Sequence, residues 1–290
     1  MGKRQIQCHK LNQEKMAIKL KSFIKRVVPS APLYLLSSIY HRSSAPFSLK
    51  SALIVPRSVS DFFVWNPSVA KTEFIAENIR SLLIGDPIEV IHCFRFFSKE
   101  GKLIHEEKYT RDDFFSRITL SGPQDNSDYS SFTHHVEAEN LQNLIKSLLG
   151  HKKRSICEQN RGYCIYYPSF ESSVGSCVHG NFGAISREGN MLARQRSLHL
   201  YTPAYRFVSE NTYDLAFNNP TDSTLNIRLL FNNDSTRNKF LHIKRMGTYG
   251  FRVKSYTGSL TFESRLPICR AIIFKNPDQL KSGNFDVLHS

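Results

Sequence analysis

"IEVIHCFRFFSKEGKLIHEEKYTRDDFFSRI" (88–118) and "LNIRLLFNNDSTRNKFLHIKRMGTYGFRV" (225–253) decide the fold of this chain. Each stretch has an apolar strand, a polar turn and a second strand that begins Lys-apolar-apolar-His, which places His105 and His242 at matching positions. A Phe-containing strand then closes each stretch. Short strands separated by polar turns are typical of all-β proteins, so the pair predicts one β unit that occurs twice.

Two further pairs of segments flank these stretches in the same order. "DFFVWNP" (61–67) resembles "YDLAFNNP" (213–220), and "YCIYYPSFESSVGSCVHG" (163–180) resembles "AIIFKNPDQLKSGNFDVLHS" (271–290). The succession predicts an all-β fold of two tandem, related β-sandwiches, Ig-like or jelly-roll-like. We expect a basic N-terminal arm and linker over 1–46, the first sandwich over 47–186 and the second over 187–290.

The matched segments lie farther apart along the first copy, which indicates two insertions there. "SVAKTEFIAENIRSLLIGDP" (68–87) has Ile75, Ile79, Leu82 and Leu83 at helical spacing, and "EAENLQNLIKSLLGHKKR" (137–154) has an apolar stripe of the same period. In both segments a glycine, Gly85 or Gly150, follows the apolar stripe, and a glycine there commonly ends a helix. The sequence therefore predicts two helices inserted in the first sandwich.

Half of the formal net charge of +14 lies in the first 30 residues, where eight basic side chains stand against Glu14 alone. Lys19, Lys21, Lys25 and Arg26 are the predicted contacts to a polyanion, which could be an anionic glycan, an acidic membrane surface or nucleic acid. The apolar stretches are too short for a transmembrane helix. We expect a cytoplasmic protein, with peripheral membrane contact through the arm as one alternative and export as another.

The segment 164–180 contains the residues that most resemble a reactive site. Cys177 and His179 are two positions apart, so on a strand they share a face, but no third residue orients them. The matching segment of the second copy keeps His289 and has no cysteine at the corresponding place. These features favour a protein without enzymatic activity and without a cofactor.

Adjacent histidines give the best metal candidate, a weak one. His134 and His135 have good zinc-ligating groups, but neighbours on a strand point to opposite faces, so we expect no metal site. A metal-dependent hydrolase remains an alternative if His134, His135 and His179 converge in a cleft.

The histidines repeated in the two copies suggest one ligand contact per copy. His105, His242, His179 and His289 are therefore candidate ligand-binding residues, and Tyr166 and Tyr201 are candidate stacking surfaces for a saccharide. The leading prediction is a non-enzymatic binding or assembly module for a saccharide, an anionic polymer, a partner protein or a second copy of the chain. The second alternative is a nucleic-acid-binding or coat-type protein that acts through the basic arm.

Residues 213–277 resemble the small sandwich of the sensory-rhodopsin transducer family. The shared features are the turn "NNPTDS", an apolar strand that ends at Phe231, a strand before "YGFRV" and the step "ESRLPI". The resemblance implies a non-enzymatic sandwich that associates with itself and binds partners.

Overall fold

A computed structural model describes residues 58–124, 128–137, 158–169, 171–186, 198–221, 223–266, 269–280 and 285–289. The basic arm, with Lys19, Lys21, Lys25 and Arg26, and the second predicted helix (137–154), apart from Glu137, lie outside these ranges. Within them the chain is almost entirely β, which confirms the predicted class. No helix in the described ranges is long and apolar enough to cross a membrane.

The first half of the described chain contains ten strands and one helix. They are β1 (Ser58–Trp65), β2 (Lys71–Glu77), helix α1 (Ile79–Ile84), β3 (Val90–Phe97), β4 (Leu103–Arg111), β5 (Phe115–Leu120), β6 (Ser130–Glu137), β7 (Glu158–Asn160), β8 (Gly162–Tyr167), β9 (Ser176–His179) and β10 (Asn181–Ser186). The strands form sheet I, in the order β10-β1-β6-β3-β4, and sheet II, in the order β5-β2-β8-β9. The short strand β7 pairs with β1 in parallel, and the other strand pairs are antiparallel.

The second half contains eight strands in two antiparallel sheets. They are β11 (His199–Tyr201), β12 (Tyr213–Asn218), β13 (Leu225–Phe231), β14 (Lys239–Ile243), β15 (Thr248–Val253), β16 (Leu260–Ser264), β17 (Ala271–Lys275) and β18 (Asp286–His289). Sheet III has the order β11-β16-β13-β14, and sheet IV has the order β15-β12-β17-β18.

The two halves have the same strand order. The order β1-β6-β3-β4 in sheet I corresponds to β11-β16-β13-β14 in sheet III, and β5-β2-β8-β9 in sheet II corresponds to β15-β12-β17-β18 in sheet IV. A duplication predicts this identity of topology. The segment pairs 88–118 with 225–253 and 163–180 with 271–290 fall on corresponding strands.

One predicted segment pair is wrong. Residues 213–220 contain β12, whose counterpart is β2, whereas 61–67 belong to β1, whose counterpart is β11. The true counterpart of "YDLAFNN" (213–219) is "TEFIAEN" (72–78). Apolar strands that end in asparagine resemble one another, and only the pairing of the strands distinguishes them.

The first predicted helix is largely a strand. Residues 71–77 form β2, and Ile75 lies on it, so that only Ile79–Ile84 is helical. The Asn78 side chain accepts a hydrogen bond from Ser81 N at the start of α1, and Gly85 ends the helix in a left-handed conformation (φ 85°). Every second residue of β2, namely Thr72, Phe74 and Ala76, is buried in the core, which is the period-2 pattern of a strand. The larger apolar residues of the same segment also have helical spacing, so the sequence fits both patterns.

Sheet IV takes part in two hydrophobic cores. Leu215, Phe217 and Ile273 face the core shared with sheet III, whereas Ile272 and Phe274 face the core of the first sandwich. This burial on both faces accounts for the continuous apolar run "AIIF". All described strands accordingly lie in one compact unit.

Polar contacts join sheet IV to the strands of the first half of the chain. The Tyr129 hydroxyl donates to Asp214 Oδ2 (2.9 Å), and Arg252 donates two hydrogen bonds to the same carboxylate (2.6 and 2.8 Å). The Tyr129 ring lies so close to Gly250 that a Cβ atom there would be 2.5 Å from Tyr129 Cδ2. The corresponding edge strands β9 and β18 are also neighbours, and Ser176 Oγ donates to Asp286 Oδ1 (2.7 Å). The interface therefore combines buried apolar area with specific polar partners.

Candidate binding face

The outer faces of the four sheets differ in how far they are buried, and on sheet I only the part away from the edge strand β4 is buried, since Glu106 and Lys108 on β4 are exposed. On the outer face of sheet I, Cys93, Thr133 and His135 are buried. The outer face of sheet IV packs on the first core, as described above. The outer faces of sheets II and III carry exposed side chains and are the surfaces on which a ligand can bind.

The outer face of sheet II mixes aromatic and charged side chains across all four strands. One row of paired residues crosses β5, β2, β8 and β9 and consists of Arg117, Ile75, Tyr163 and His179. The next row consists of Thr119, Glu73, Ile165 and Cys177. Tyr163 is 44% exposed, and Arg117 and His179 are exposed beside it. We call these two rows, together with Lys71 and Tyr167, the sheet II face.

A buried carboxylate organises the charged part of this face. Glu73 accepts hydrogen bonds from Arg117 and from the Tyr167 hydroxyl (2.9 Å), and Lys71 Nζ lies 3.2 Å from its other oxygen. Burial by itself would raise the pKa of Glu73, but the hydrogen bonds from Arg117, Tyr167 and Lys71 outweigh it and lower that pKa. The carboxylate is thus ionised at neutral pH, and it holds the Arg117 guanidinium in a fixed orientation at the surface.

The aromatic part of the face has one accessible ring and one covered ring. Tyr167 is buried because Gly175 packs against it and Lys71 Nζ lies 4.1 Å from its ring centroid. Tyr163, four positions earlier on the same side of β8, has no such cover and exposes its ring between Ile75 and His179. An exposed ring beside fixed hydrogen-bonding groups suits a ligand that has both an apolar surface and hydroxyl groups.

Cys177 and His179 share this face, as their spacing predicts. Burial raises the pKa of the Cys177 thiol, so the group is protonated at neutral pH and is a poor nucleophile. The His179 Nδ1 atom lies 2.9 Å from the carbonyl oxygen of Gly180. The pair therefore has the geometry of neighbouring surface residues on a strand and lacks an activated thiolate.

The buried carboxylate and its arginine recur in the second copy. Asp214 on β12 and Arg252 on β15 occupy the strands that correspond to those of Glu73 and Arg117. In the second copy the pair takes part in the contact between the sandwiches, whereas in the first copy it lies on an exposed face. The arginine common to "FFSRI" and "GFRV" was a sequence signal for this pair. Glu73, Arg117 and Tyr163 are not among the site residues predicted from the sequence.

The predicted pair His105 and His242 does not occupy equivalent places. A bulge between Phe96 and Phe97 shifts the register of β3 with β4, so His105 is opposite the core residue Phe96. His242 is opposite the exposed Asn226 and hydrogen bonds to it (2.6 Å) on the outer face of sheet III. Since a one-residue shift turns every following side chain to the other face, the prediction of equivalence is wrong.

His105 instead belongs to a hydrogen-bond cluster on the inner side of β4. Its Nε2 atom lies 3.0 Å from Glu107 Oε1, and the Tyr109 hydroxyl donates to Glu107 Oε2 (2.6 Å). Ser121 N also donates to Glu107 Oε2 (3.2 Å), which ties the edge strand β4 to the segment after β5. These partners give His105 a structural explanation, and a role in ligand binding stays a prediction.

His179 and His289 do have matching register positions. His179 is opposite Tyr163 on β8, and His289 is opposite Ile272 on β17. Their positions agree with the predicted correspondence, while their participation in binding stays a prediction.

The predicted tyrosines lie in less accessible places than Tyr163. Tyr166 is fully buried, and its hydroxyl donates to the carbonyl oxygen of Val64 (2.5 Å) while its ring packs against Phe274. Tyr201 on β11 is half-buried and packs against Phe262. A buried ring cannot stack on a ligand, so Tyr166 serves the core.

The two adjacent histidines face opposite sides of β6, as predicted. His134 lies inside the first core, where its Nε2 atom is 2.9 Å from His92 Nδ1, and His135 lies on the outer face. His179 is exposed on the outer face of sheet II, so the structure does not bring His134, His135 and His179 together as the hydrolase alternative requires. Within the described ranges, no group of three or more His, Cys, Asp or Glu side chains could hold a metal ion.

Comparison with known proteins adds little to this description. No protein-family model and no curated protein matches the chain. A solved structure, the M60 catalytic domain with the CBM51-1 and CBM51-2 domains from Clostridium perfringens ZmpB, is 8% identical, and the match covers 71% of this chain and 31% of that one. Its TM-score of 0.17 is too low to carry an argument about fold or function.

Proposed function

We propose that this protein is a non-enzymatic binding module and that the sheet II face binds a saccharide. The observation that carries the proposal is the exposed row Arg117, Ile75, Tyr163 and His179 beside the ionised Glu73. The corresponding face in the second copy is buried between the sandwiches, so this copy alone is open to a ligand.

The chemistry of the face matches that of a sugar ring. The apolar C–H groups of a sugar pack on an exposed aromatic ring such as Tyr163, and its hydroxyl groups hydrogen bond with charged side chains held in place by neighbours. Arg117 is such a side chain, because Glu73 and Tyr167 fix it. Four strands about 4.8 Å apart give a face roughly 14 Å across, enough for a short oligosaccharide.

A glycan-binding screen with single variants tests the proposal. We expect the full-length protein to bind a subset of glycans and Tyr163→Ala to weaken that binding about tenfold or more, because truncation of a central aromatic contact commonly costs above 1 kcal/mol. Tyr249→Ala is the matched control, since Tyr249 is 43% exposed but lies on β15 of sheet IV. A wild type that binds no glycan, or equal losses in both variants, would refute the proposal.

Contact with a polyanion through Lys19, Lys21, Lys25 and Arg26 is a second and separate proposal, supported by the concentration of basic residues in the arm. Binding of this kind should weaken steeply with salt and disappear when residues 1–30 are deleted, whereas saccharide binding on the sheet II face should survive the deletion. The resemblance of 213–277 to the sensory-rhodopsin transducer family supports a binding or self-associating role and stays a proposal.

A further inference from the structure

The outer face of sheet III also carries large exposed side chains in the described part of the chain. Leu198, Leu200 and Phe240 are 63%, 67% and 66% exposed there. At the corresponding strands of sheet I, outer-face residues such as Cys93 and His135 are buried. Several large apolar side chains exposed on one sheet face are typical of an interaction surface.

One row of paired residues on this face is complementary to the same row read in the opposite direction. Leu200 on β11 is paired with Glu263 on β16, Glu263 with Arg228 on β13, and Arg228 with Phe240 on β14. The row therefore has an apolar residue at each end and opposite charges in the middle. Arg228 Nη1 lies 3.8 Å from Glu263 Oε2, and the Arg228 guanidinium lies 5.6 Å from the centre of the Phe240 ring.

We infer that two copies of this chain associate through the outer faces of sheet III, about a two-fold axis parallel to the strands. Such an axis reverses the order of the row, so Leu200 of one copy faces Phe240 of the other and Glu263 faces Arg228. The charges are then opposite across the interface as well as within each copy. Sheets packed face to face are about 10 Å apart, which suits contacts between side chains of this size.

The charge order selects this axis over the alternative. A two-fold axis along the row would place each strand opposite the identical strand of the other copy. Arg228 would then face Arg228, and Glu263 would face Glu263. Like charges at such an interface are unfavourable. Arg228 can reach a partner across this interface, because its side chain is 42% exposed.

The inference is independent of the proposed saccharide binding, which uses another sheet. If both hold, the dimer presents two sheet II faces, and a multivalent glycan would bind more tightly than a single one without any new contact.

Sedimentation equilibrium of the full chain tests the dimer over roughly 1–100 μM, because interfaces of ordinary size can be as weak as micromolar. We expect the wild type to dimerise and Arg228→Glu to raise the Kd about tenfold or more, since it places four acidic groups together in the dimer. The double variant Arg228→Glu with Glu263→Arg restores opposite charges across the axis and should restore dimerisation.

A second variant tests whether misfolding, rather than loss of the interface, causes the weaker dimerisation. Leu200→Asp should also abolish dimerisation and leave the circular dichroism spectrum unchanged, because Leu200 is exposed. Leu103→Asp is the matched control on β4 of sheet I, where Leu103 is 54% exposed. A monomeric wild type, a dimer that survives Arg228→Glu and Leu200→Asp, or equal loss in Leu103→Asp would overturn the inference.

Discussion

Replacing Asp61 with asparagine should make this protein lose stability in mild acid. The effect depends on two buried groups whose pKa values are shifted in opposite directions, Asp61 on β1 and His92 on β3. In the wild type the contribution of Asp61 offsets part of that of His92, so its removal should increase the loss of stability in acid.

Asp61 should stabilise the fold as the pH falls. Burial raises the pKa of Asp61 from 3.8 to about 6, against the opposing effects of Arg161 and His179. Because the folded-state pKa is above the unfolded value, the folded protein takes up the proton first. Between pH 7 and pH 4 this linkage adds about 2 kcal/mol to the free energy of unfolding.

His92 should have the reverse effect. Burial, with a smaller contribution from Arg111, lowers the pKa of His92 from 6.5 to about 4, so the unfolded chain takes up the proton first. The stability that this histidine contributes is present above pH 6.5 and is lost as the pH falls toward 4, by about 3 kcal/mol. His134, the hydrogen-bonded neighbour of His92, has a pKa lowered by burial and acts in the same direction.

Urea unfolding of three proteins at pH 7 and pH 4 measures both contributions. Relative to the wild type, Asp61→Asn should lose about 2 kcal/mol more between the two pH values, a midpoint shift of about 1 M for ordinary urea slopes. His92→Gln should lose about 3 kcal/mol less over the same interval. Parallel pH profiles for Asp61→Asn and the wild type would show that Asp61 does not titrate near pH 6 and would refute the reasoning.

Three further predictions concern the sandwich interface and the thiols. Gly250→Ala should lower the free energy of unfolding by about 1–3 kcal/mol, because the new methyl group collides with Tyr129, and thermal unfolding should show less loss in a Tyr129→Ala background. Arg252→Ala should destabilise by about 1–3 kcal/mol, since it leaves the buried Asp214 carboxylate without its partly exposed arginine, and Asp214→Asn should cost less in the same assay. Among the four cysteines in the described ranges, Cys177 should react first with a maleimide because it alone is exposed, and peptide mapping would contradict this if Cys93, Cys164 or Cys269 were modified as fast.

Much of the fold could be predicted because strand formation depends on local alternation. Leu225, Ile227 and Leu229 alternate with polar residues and face the core as that pattern indicates. The repeated hairpins then predicted two related halves, and the strand orders of the two halves correspond. The same local evidence was ambiguous at Ile75, where helical and strand periods overlap, and only pairing with β5 and β8 decided in favour of a strand.

The candidate site was predictable only in part. His179 was identified from its recurrence, but Tyr163 was passed over in favour of Tyr166, three positions along the same strand. The equivalence of His105 and His242 failed because the pattern of apolar residues does not reveal a bulge that turns one side chain inward.

The sequence by itself determined that "GYCIYY" is a strand with two alternating sets of side chains. Which set faces outward was decided only by the tertiary structure, which buries Cys164 and Tyr166 beneath sheet I and turns Tyr163 to the surface. Likewise, acid–arginine pairs on corresponding strands form an interface contact at Asp214 and a surface network at Glu73. The physical reason is that alternation fixes the relation between neighbouring side chains, whereas exposure depends on which sheet packs against each face.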